Sequence, residues 1–178
     1  MPTIAIVGAS LAGSSAAATL REEGFDGRVV LIGAEPQPPY DRPPLSKNYL
    51  RGMTPFEKTL LRPPDFYRER SIELRLGTTV TRVDAEKRTL TCLDGERLEF
   101  DQLLIATGGR NRRFPIPGID LPGVYDLRTV ADADRIREAM KGGGRAVVVG
   151  LGFIGAEVAA AVRPAGLEVV AIEPVNTP

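Results

Sequence analysis

The sequence contains no histidine, no tryptophan and only one cysteine, Cys92, among its 178 residues. Histidine catalysis and histidine metal ligation are therefore excluded, and a single cysteine cannot form an internal disulfide, a dithiol redox centre or a cysteine-cluster metal site. Charge of one sign is not in excess either, because 23 Lys and Arg residues balance 23 Asp and Glu residues. We therefore expect no metal, no nucleic-acid partner and no membrane partner.

Long hydrophobic runs are also missing from the sequence. No apolar stretch approaches the roughly 18 residues of a membrane span, and no basic leader precedes the first apolar run. We expect a cytoplasmic protein. Its length lies within the usual range of one domain and is sufficient to bury a substantial core, and the chain is either one domain or parts of two.

The first part of the chain is patterned as strand, helix and strand. Ile4 to Gly8 is an apolar run, a helical pattern continues to about Glu23, and Val29 to Ile32 is a second apolar run. The proline-rich stretch from Pro36 to Pro44 predicts a loop, and a short helix is predicted to begin at Ser46.

Between Ile72 and Thr107 the pattern changes to short β-strands. A linker rich in proline and glycine follows, and then a helix from Ala131 to Lys141 and a second strand, helix and strand pattern. The predicted fold class is therefore α/β, with a β-meander inserted in the first domain. The strands predicted in this region, of which the last looks buried, are Thr79 to Val83, Thr89 to Leu93, Arg97 to Phe100 and Leu103 to Ala106.

The two strand, helix and strand patterns are copies of one unit. Superposing Gly8 on Gly150 aligns Gly13 with Gly155. Two such copies in one chain are much less expected by chance than either copy alone. They predict two nucleotide-binding units, against the alternative of two glycine-rich turns.

The second copy has the three glycines of a dinucleotide-binding loop, Gly150, Gly152 and Gly155. The first permits a tight turn, the second lets the backbone approach a pyrophosphate, and the third lets the helix pack against the strand. Amides at the helix N-terminus then hold the phosphate charge. Glu173 ends the next strand about 20 residues further on, where a carboxylate can bind a ribose hydroxyl.

The first copy departs from this pattern at two points. Ser10 replaces the second glycine and adds a hydroxyl beside the predicted phosphates. Gly33 lies opposite Glu173, so the nearest carboxylate is Glu35, which points the same way as residue 33 in an extended chain. Together with its repeat, this loop also predicts a nucleotide site, which includes Gly8 and Gly13.

Five short motifs follow each other along the whole chain: VGASLAG from Val7, YDRPPLSK from Tyr40 to Lys47, LLIATGG from Leu103, DLRT from Asp126 and VVGLGFIGAE from Val148 to Glu157. In this order they resemble the FAD-dependent ferredoxin and rubredoxin reductases of the pyridine nucleotide-disulfide oxidoreductase superfamily. The resemblance implies an FAD-binding Rossmann-like domain at residues 1–113, and a linker with the start of an NAD-binding Rossmann-like domain at residues 114–178.

The resemblance also implies which residues contact FAD. They are Ala12 and Gly13 over the pyrophosphate, Lys47 under the flavin ring, a main-chain contact of Val80 to adenine, Arg128, and the closing turn of Ala106, Thr107 and Gly108. Two departures stand beside these matches. Several relatives carry a ribose-binding aspartate where this chain has Ala34, and members of the family are much longer than this chain.

Three charged residues each allow two interpretations. Lys47 either contacts the flavin or is a solvated lysine at the start of a helix. Glu157 is either the partner that orients Lys47 or an exposed residue in the first turn of a helix, favoured there by the helix dipole. Arg42 either touches the ligand or stabilises its loop. Cys92 is predicted to be inert, because nothing near it in sequence stabilises a thiolate.

The function implied by the resemblance is electron transfer from NADH through FAD to a ferredoxin- or rubredoxin-type iron–sulfur carrier. The cofactors carry this chemistry, so no catalytic acid, base or nucleophile is required of the chain. The disulfide reductases of the superfamily have a cysteine pair where this chain has YDRPPLSK, which excludes their reaction. The alternative is a non-catalytic nucleotide-binding fragment, and we expect the chain alone to lack turnover, bind FAD weakly and dissolve poorly.

NADH is predicted to be preferred over NADPH. Glu173 would accept a hydrogen bond from the 2′-hydroxyl and repel a 2′-phosphate, and the following PVNTP segment offers no arginine to neutralise that phosphate. Steady-state kinetics of the full-length reductase would check this preference, and NADPH as the better substrate would refute it.

Overall fold

The computed structural model describes residues 1–63, 65–113 and 115–173. Its contacts divide the chain into two compact units. The first unit comprises Met1–Asp41 and Leu60–Gly109, and the second unit comprises Arg42–Thr59 and Arg110–Pro178. This division lies four residues before the boundary predicted at residues 113 and 114, and it groups the YDRPPLSK segment from Arg42 onwards with the second unit.

The first unit is built on a parallel sheet. In chain order its described elements are β1 (Thr3–Val7), α1 (Leu11–Glu22), β2 (Arg28–Ile32), α2 (Phe66–Glu69), β3 (Ile72–Arg75), β4 (Val80–Asp84), β5 (Thr89–Cys92), β6 (Arg97–Glu99) and β7 (Gln102–Ile105). The order of the parallel strands is β3-β2-β1-β7. The predicted strand, helix and strand at the start of the chain are confirmed.

The central strands of this sheet are buried on both faces, as expected of parallel strands with uninterrupted apolar sequence. Ile6 and Leu31 point to one face, where they pack with α1 and Tyr67. Ala5 and Val30 point to the other face and pack against Leu90 and other apolar residues of the meander. The sheet therefore lies between a helical layer and the antiparallel strands β4-β5-β6, which confirms the inserted meander.

Two local predictions were wrong. The strand from Leu103 was expected to be buried, but β7 is an edge strand in which Leu104 is 40% and Ile105 is 62% exposed. The helix expected to begin at Ser46 instead ends there, because Pro43 and Pro44 start a short 3₁₀ helix, Pro43–Ser46. Proline fixes φ near −65° and suits the first residues of a helix, so the turn forms earlier than predicted.

The second unit contains two 3₁₀ helices followed by a strand, helix and strand pattern. Its described elements are the 3₁₀ helices Pro43–Ser46 and Phe56–Thr59, then α3 (Val130–Met140), β8 (Arg145–Val149), α4 (Phe153–Val162), a 3₁₀ turn at Arg163–Ala165 and β9 (Glu168–Ile172). Strands β8 and β9 are parallel neighbours, with Val149 opposite Ile172. The linker predicted after residue 113 has no regular element among its described residues.

Residues Arg42–Thr59 are held in the second unit by α3. The Tyr49 hydroxyl donates a hydrogen bond of 2.7 Å to Asp134, and the Arg137 guanidinium lies 5.0 Å from the centre of the Tyr49 ring. Tyr49 is only 4% exposed, and burial, followed by the hydrogen bond and charge of Asp134, raises its pKa. A buried aromatic ring with its hydroxyl satisfied fixes this segment against the helix.

The two-stranded sheet of the second unit exposes much of its apolar surface. Val147, Val149 and Ile172 are 54%, 61% and 52% exposed. Parallel strands are normally covered on both faces, and uncovered apolar strands tend to pair with other chains. Within the described ranges, none of the helices has the length and hydropathy needed to cross a membrane.

We expect the chain to self-associate through these two strands. Val149→Thr together with Ile172→Thr keeps β-branched side chains but makes them polar, and should shift the chain towards monomer in size-exclusion chromatography over a range of concentrations. Val83→Thr, at a 39% exposed position in β4 of the first unit, is the control and should change nothing. A wild-type chain that elutes as a monomer at every concentration would contradict the prediction.

Candidate functional site

The turn after β1 can be formed only by glycine. Gly8 has a φ of 117°, and its N–H donates to the Ile32 carbonyl at 2.8 Å. A Cβ at residue 8 would lie 2.1 Å from the Ala106 carbonyl oxygen, and a Cβ at Gly13 would lie 1.9 Å from the Gly8 carbonyl oxygen. The start of α1 therefore packs directly on the backbone of the turn.

The second unit has the same construction after β8. Gly150 has a φ of 93°, and its N–H donates to the Ile172 carbonyl at 2.8 Å. A Cβ at Gly155 would lie 1.8 Å from the Gly150 carbonyl oxygen. The equivalence expected from the sequence repeat is thus matched by equivalent backbone contacts.

The middle position of the second loop is not packed against the protein. A Cβ at Gly152 would meet no heavy atom within 4 Å, so the chain itself does not need a glycine there. Ser10 precedes α1 in an extended conformation, and its side chain makes no capping hydrogen bond. Helix α4 therefore begins with backbone amides beside open space, which is the arrangement that holds a phosphate, and at the start of α1 the Ser10 hydroxyl is not used as a cap.

The two predicted ribose acids lie at the ends of β2 and β9. The Glu173 carboxylate accepts a hydrogen bond of 2.5 Å from the Leu151 N–H, within the glycine loop. In the first unit the position equivalent to Glu173 is Gly33, and the acid is Glu35. The Glu35 carboxylate accepts a hydrogen bond from the hydroxyl of Tyr40, which is 4% exposed. The PVNTP segment that follows Glu173 lies outside the described residues.

The predicted ion pair between Lys47 and Glu157 is present in the second unit. The Lys47 Nζ lies 2.7 Å from Glu157 Oε2, and the Ser46 hydroxyl donates to the same oxygen at 2.5 Å. Hydrogen bonding from Lys47, and then from Ser46, lowers the pKa of the Glu157 carboxyl. The carboxylate is therefore held in its charged form by two neighbouring residues of the YDRPPLSK motif.

Glu157 does not lie in the first turn of its helix, as expected, but in the second. Helix α4 begins at Phe153, which makes Glu157 its fifth residue. The influence of the helix dipole falls off within the first turn. The charge of Glu157 is therefore set by its side-chain partners, which weakens the interpretation of Glu157 as a residue favoured by the helix dipole.

Arg42 holds the DLRT segment in place. Its guanidinium donates to the Arg128 carbonyl at 2.5 Å, while the Arg128 N–H donates to the Asp132 carboxylate at 3.0 Å. Asp132 also closes a capping box with Thr129 at the start of α3. Burial alone would raise the pKa of Asp132, but these hydrogen bonds and the charge of Arg135 lower it. This contact matches the loop-stabilising interpretation of Arg42.

A cavity of about 240 Å³ brings these charged residues together in the second unit. Three cations, Arg42, Lys47 and Arg128, line it together with one carboxylate, Glu157. The 92% exposed ring of Phe153 forms part of its apolar side. The cavity thus combines positive charge with an exposed aromatic surface.

The remaining predicted residues lie around the first glycine turn or on the meander. The N–H of Ala106 donates to the Val7 carbonyl at 2.7 Å, and Thr107 and Gly108 follow it, Gly108 with a φ of 68°. Ala12 is exposed in the first turn of α1, and Val80 is half-buried at the start of β4. Burial, followed by the negative charge of Asp94 and Glu96, raises the pKa of the Cys92 thiol, as expected of an inert cysteine.

Two residues of the site, Tyr40 and Ser46, were not predicted from the sequence. Both hydrogen-bond a predicted carboxylate, Glu35 and Glu157 respectively. Both belong to YDRPPLSK, so the motif was itself the signal, although it does not say which carboxylates its hydroxyls reach.

Residues 2–178 match the family model described as pyridine nucleotide-disulphide oxidoreductase, so the chain belongs to this family of two-nucleotide oxidoreductases. The chain is 43% identical over 176 residues to rhodocoxin reductase of Rhodococcus erythropolis, covering 99% of this chain and 41% of that protein. It is 43% identical to the benzene 1,2-dioxygenase system ferredoxin–NAD(+) reductase subunit of Pseudomonas putida, covering 96% of this chain and 41% of that protein.

Solved structures agree with this assignment. The crystal structure of the covalent putidaredoxin reductase–putidaredoxin complex contains a chain that matches 96% of this chain, with a TM-score of 0.87 and 38% identity. The match covers 42% of that chain. The chain described here therefore spans about two fifths of the length of the relatives it matches.

Adding a methyl group at Gly13 or Gly155 should destabilise the unit that contains it. The new Cβ would overlap a backbone carbonyl oxygen, so Gly13→Ala and Gly155→Ala should each lower the free energy of unfolding by about 1–3 kcal/mol or more. Gly152→Ala is the matched control, because its Cβ meets nothing within 4 Å and should cost less than about 1 kcal/mol. Urea unfolding followed by circular dichroism would measure the difference, and equal losses in all three variants would contradict it.

Proposed function

We propose that the chain is the nucleotide-binding part of a reductase that passes electrons from NADH through FAD to a ferredoxin- or rubredoxin-type iron–sulfur carrier. The observation that carries this proposal is the pair of glycine turns, built alike, of which the second is open at its middle position, Gly152. The names of the relatives support the direction of electron transfer. A cytoplasmic location is part of the proposal, as expected from the sequence.

The first glycine turn fits the pyrophosphate of FAD. Gly8 and Gly13 bring the start of α1 against the turn. The first amides of a helix have no intrahelical partners, so these amides lie at the turn and can bind a phosphate. Ser10 has a small side chain at the middle position, and a hydroxyl without a capping role can donate to a phosphate oxygen. Glu35, held by Tyr40, is the proposed ribose ligand of this loop.

The second glycine turn fits the pyrophosphate of NAD. The protein does not pack against Gly152, so the absence of a side chain there is explained by a ligand that approaches the backbone. Glu173 already lies at the loop through its bond to the Leu151 N–H, where it can accept a hydrogen bond from a ribose hydroxyl. Gly150, Gly155 and Glu173 complete the proposed nicotinamide-nucleotide site.

When bound, a nicotinamide supplies two electrons as a hydride, and a flavin can release them one at a time, as an iron–sulfur acceptor requires. The chain's own contribution is binding and charge. We propose that Lys47 supplies positive charge and that Glu157 orients it. The FAD contacts implied by the resemblance for Ala12, Lys47, Val80, Ala106, Thr107, Gly108 and Arg128 stay predictions.

The second candidate function is nucleotide binding without turnover. The exposed apolar faces of β8 and β9 favour this candidate. A nucleotide unit whose strands are incompletely covered is not expected to hold a cofactor in the fixed position that hydride transfer requires. Both candidates require FAD to bind, and only the first requires the bound flavin to be reduced by NADH.

Adding FAD to the purified chain, and then NADH without oxygen, distinguishes the candidates. Loss of the yellow flavin absorption supports the reductase and would overturn the expectation that the chain alone lacks turnover. A stable yellow complex supports a chain that binds without turnover, and no yellow complex even at high FAD concentration contradicts both candidates. If NADH reduces the flavin, Glu173→Gln should weaken NADH binding by about tenfold or more, because a hydrogen bond to a charged group is worth about 1.5–3 kcal/mol. Glu168→Gln, at the first residue of β9 and paired with Arg145, is the matched control for Glu173, which directly follows this strand.

A further inference from the structure

One carboxylate oxygen of Glu157 is shared by two consecutive side chains. Oε2 accepts from Ser46 Oγ at 2.5 Å and from Lys47 Nζ at 2.7 Å. The three residues differ in burial, since Ser46 is 6% exposed whereas the side chains of Lys47 and Glu157 are 48% and 32% exposed. The buried member of the cluster is therefore the serine and not the ion pair.

The serine hydroxyl donates its hydrogen bond to the Glu157 carboxylate. Ser46 Oγ has two acceptors within reach, Glu157 Oε2 at 2.5 Å and the Pro43 carbonyl at 3.3 Å. A hydroxyl has one proton, and the charged acceptor at the shorter distance makes the stronger bond. The Lys47 ammonium has three protons and donates to both of these acceptors, to Pro43 at 3.3 Å.

Ser46 is also the most rigid member of the cluster. A half-exposed Lys–Glu pair gains little free energy, because two long side chains must lose rotamer freedom to hold one geometry. Ser46 has a single short side-chain torsion, and the prolines at residues 43 and 44 restrict the backbone just before it. A hydrogen bond from a fixed, buried hydroxyl therefore restrains the Glu157 carboxylate, and through it the Lys47 ammonium.

We propose that Ser46 is a positioning residue, whose hydroxyl fixes the Glu157 carboxylate so that this carboxylate holds the Lys47 ammonium in one place. The value of this arrangement for electron transfer rests on the proposed function. The arrangement itself is a property of the chain and is measurable without FAD or NADH.

Removing the serine hydroxyl should raise the pKa of the Glu157 carboxyl towards its ordinary value. Lys47 makes the larger contribution to the lowered pKa and Ser46 the next, while burial acts in the opposite direction. Arg42 and Arg128 line the same cavity but do not contribute to the lowered pKa, so in Ser46→Ala it is Lys47 that continues to lower it. The pKa should therefore rise but remain below the ordinary value.

The experiment is an NMR titration of the glutamate side-chain carboxyl carbons in the nucleotide-free chain, at a concentration where it is monomeric. Glu157→Gln identifies the signal of Glu157. Ser46→Ala should raise the pKa of this signal. The matched control is Thr59→Val, which removes another buried hydroxyl, 2% exposed, that donates to the carbonyl three residues earlier in the other 3₁₀ helix of the same unit. Thr59→Val should leave the pKa of Glu157 unchanged.

An unchanged pKa in Ser46→Ala, or an equal rise in Thr59→Val, would overturn the proposal, because the effect would then be absent or a general loss of stability. If Ser46→Ala does not fold, Ser46→Cys keeps the shape with a weaker donor, and an unchanged pKa in that variant is equally decisive.

Stability against pH provides a second readout. A carboxyl with a lowered pKa stabilises the fold above its unfolded pKa, and this stability is lost as the pH falls through the folded pKa. The loss should begin near the same unfolded pKa in both proteins, but in Ser46→Ala it should be smaller and complete at a higher pH than in the wild type. The titration can succeed while NADH fails to reduce the flavin, or fail while NADH succeeds, so the two proposals are tested separately.

Discussion

The structure depends on one kind of contact, the approach of backbone to backbone at a glycine, made once in each unit. Gly13 lies against the Gly8 carbonyl and Gly155 against the Gly150 carbonyl, with no room for a methyl group at either place. This contact places the helix start directly beyond the strand end. It thereby determines the positions of three features: the free amides of the helix, the acid after the second strand and the middle position of the loop.

The charged cluster of the second unit depends on a different restraint, the anchoring of the segment from Arg42 to Thr59. Tyr49 fixes this segment to α3 through a buried ring, and Ser46 fixes it to α4 through Glu157. Arg42 meanwhile holds the backbone of Arg128. Within the motif YDRPPLSK, Ser46 and Lys47 thus hold a carboxylate that lies 110 or more residues away in sequence.

Local patterns were sufficient for most of the fold. The strands, the helices around the two glycine loops and the meander follow from apolar periodicity and turn residues, which act between near neighbours. The exposure of Ile105 was not predictable, because an apolar run does not reveal how many strands flank it. The helix end at Ser46 was missed because the two prolines before it were assigned only to a loop. The hydrogen bonds from Ser46 and Tyr40 to carboxylates were not predicted, because a sequence motif does not show which other residues its side chains contact.

The grouping of Arg42–Thr59 with the second unit has a consequence for the order in which the protein is made. Lys47 and Glu157 are 110 residues apart, and all of Leu60–Gly109, which belongs to the first unit, is synthesised between them. Until α3 and then α4 have been synthesised, the segment is a loop between two parts of the first unit, without the partners that Tyr49 and Ser46 contact in the second unit. Contacts across such a separation close slowly, and domains generally fold as units from the N-terminus onwards. The first unit can therefore fold early. The loop that begins at Arg42 forms its contacts with α3 and α4 only after these helices have been synthesised.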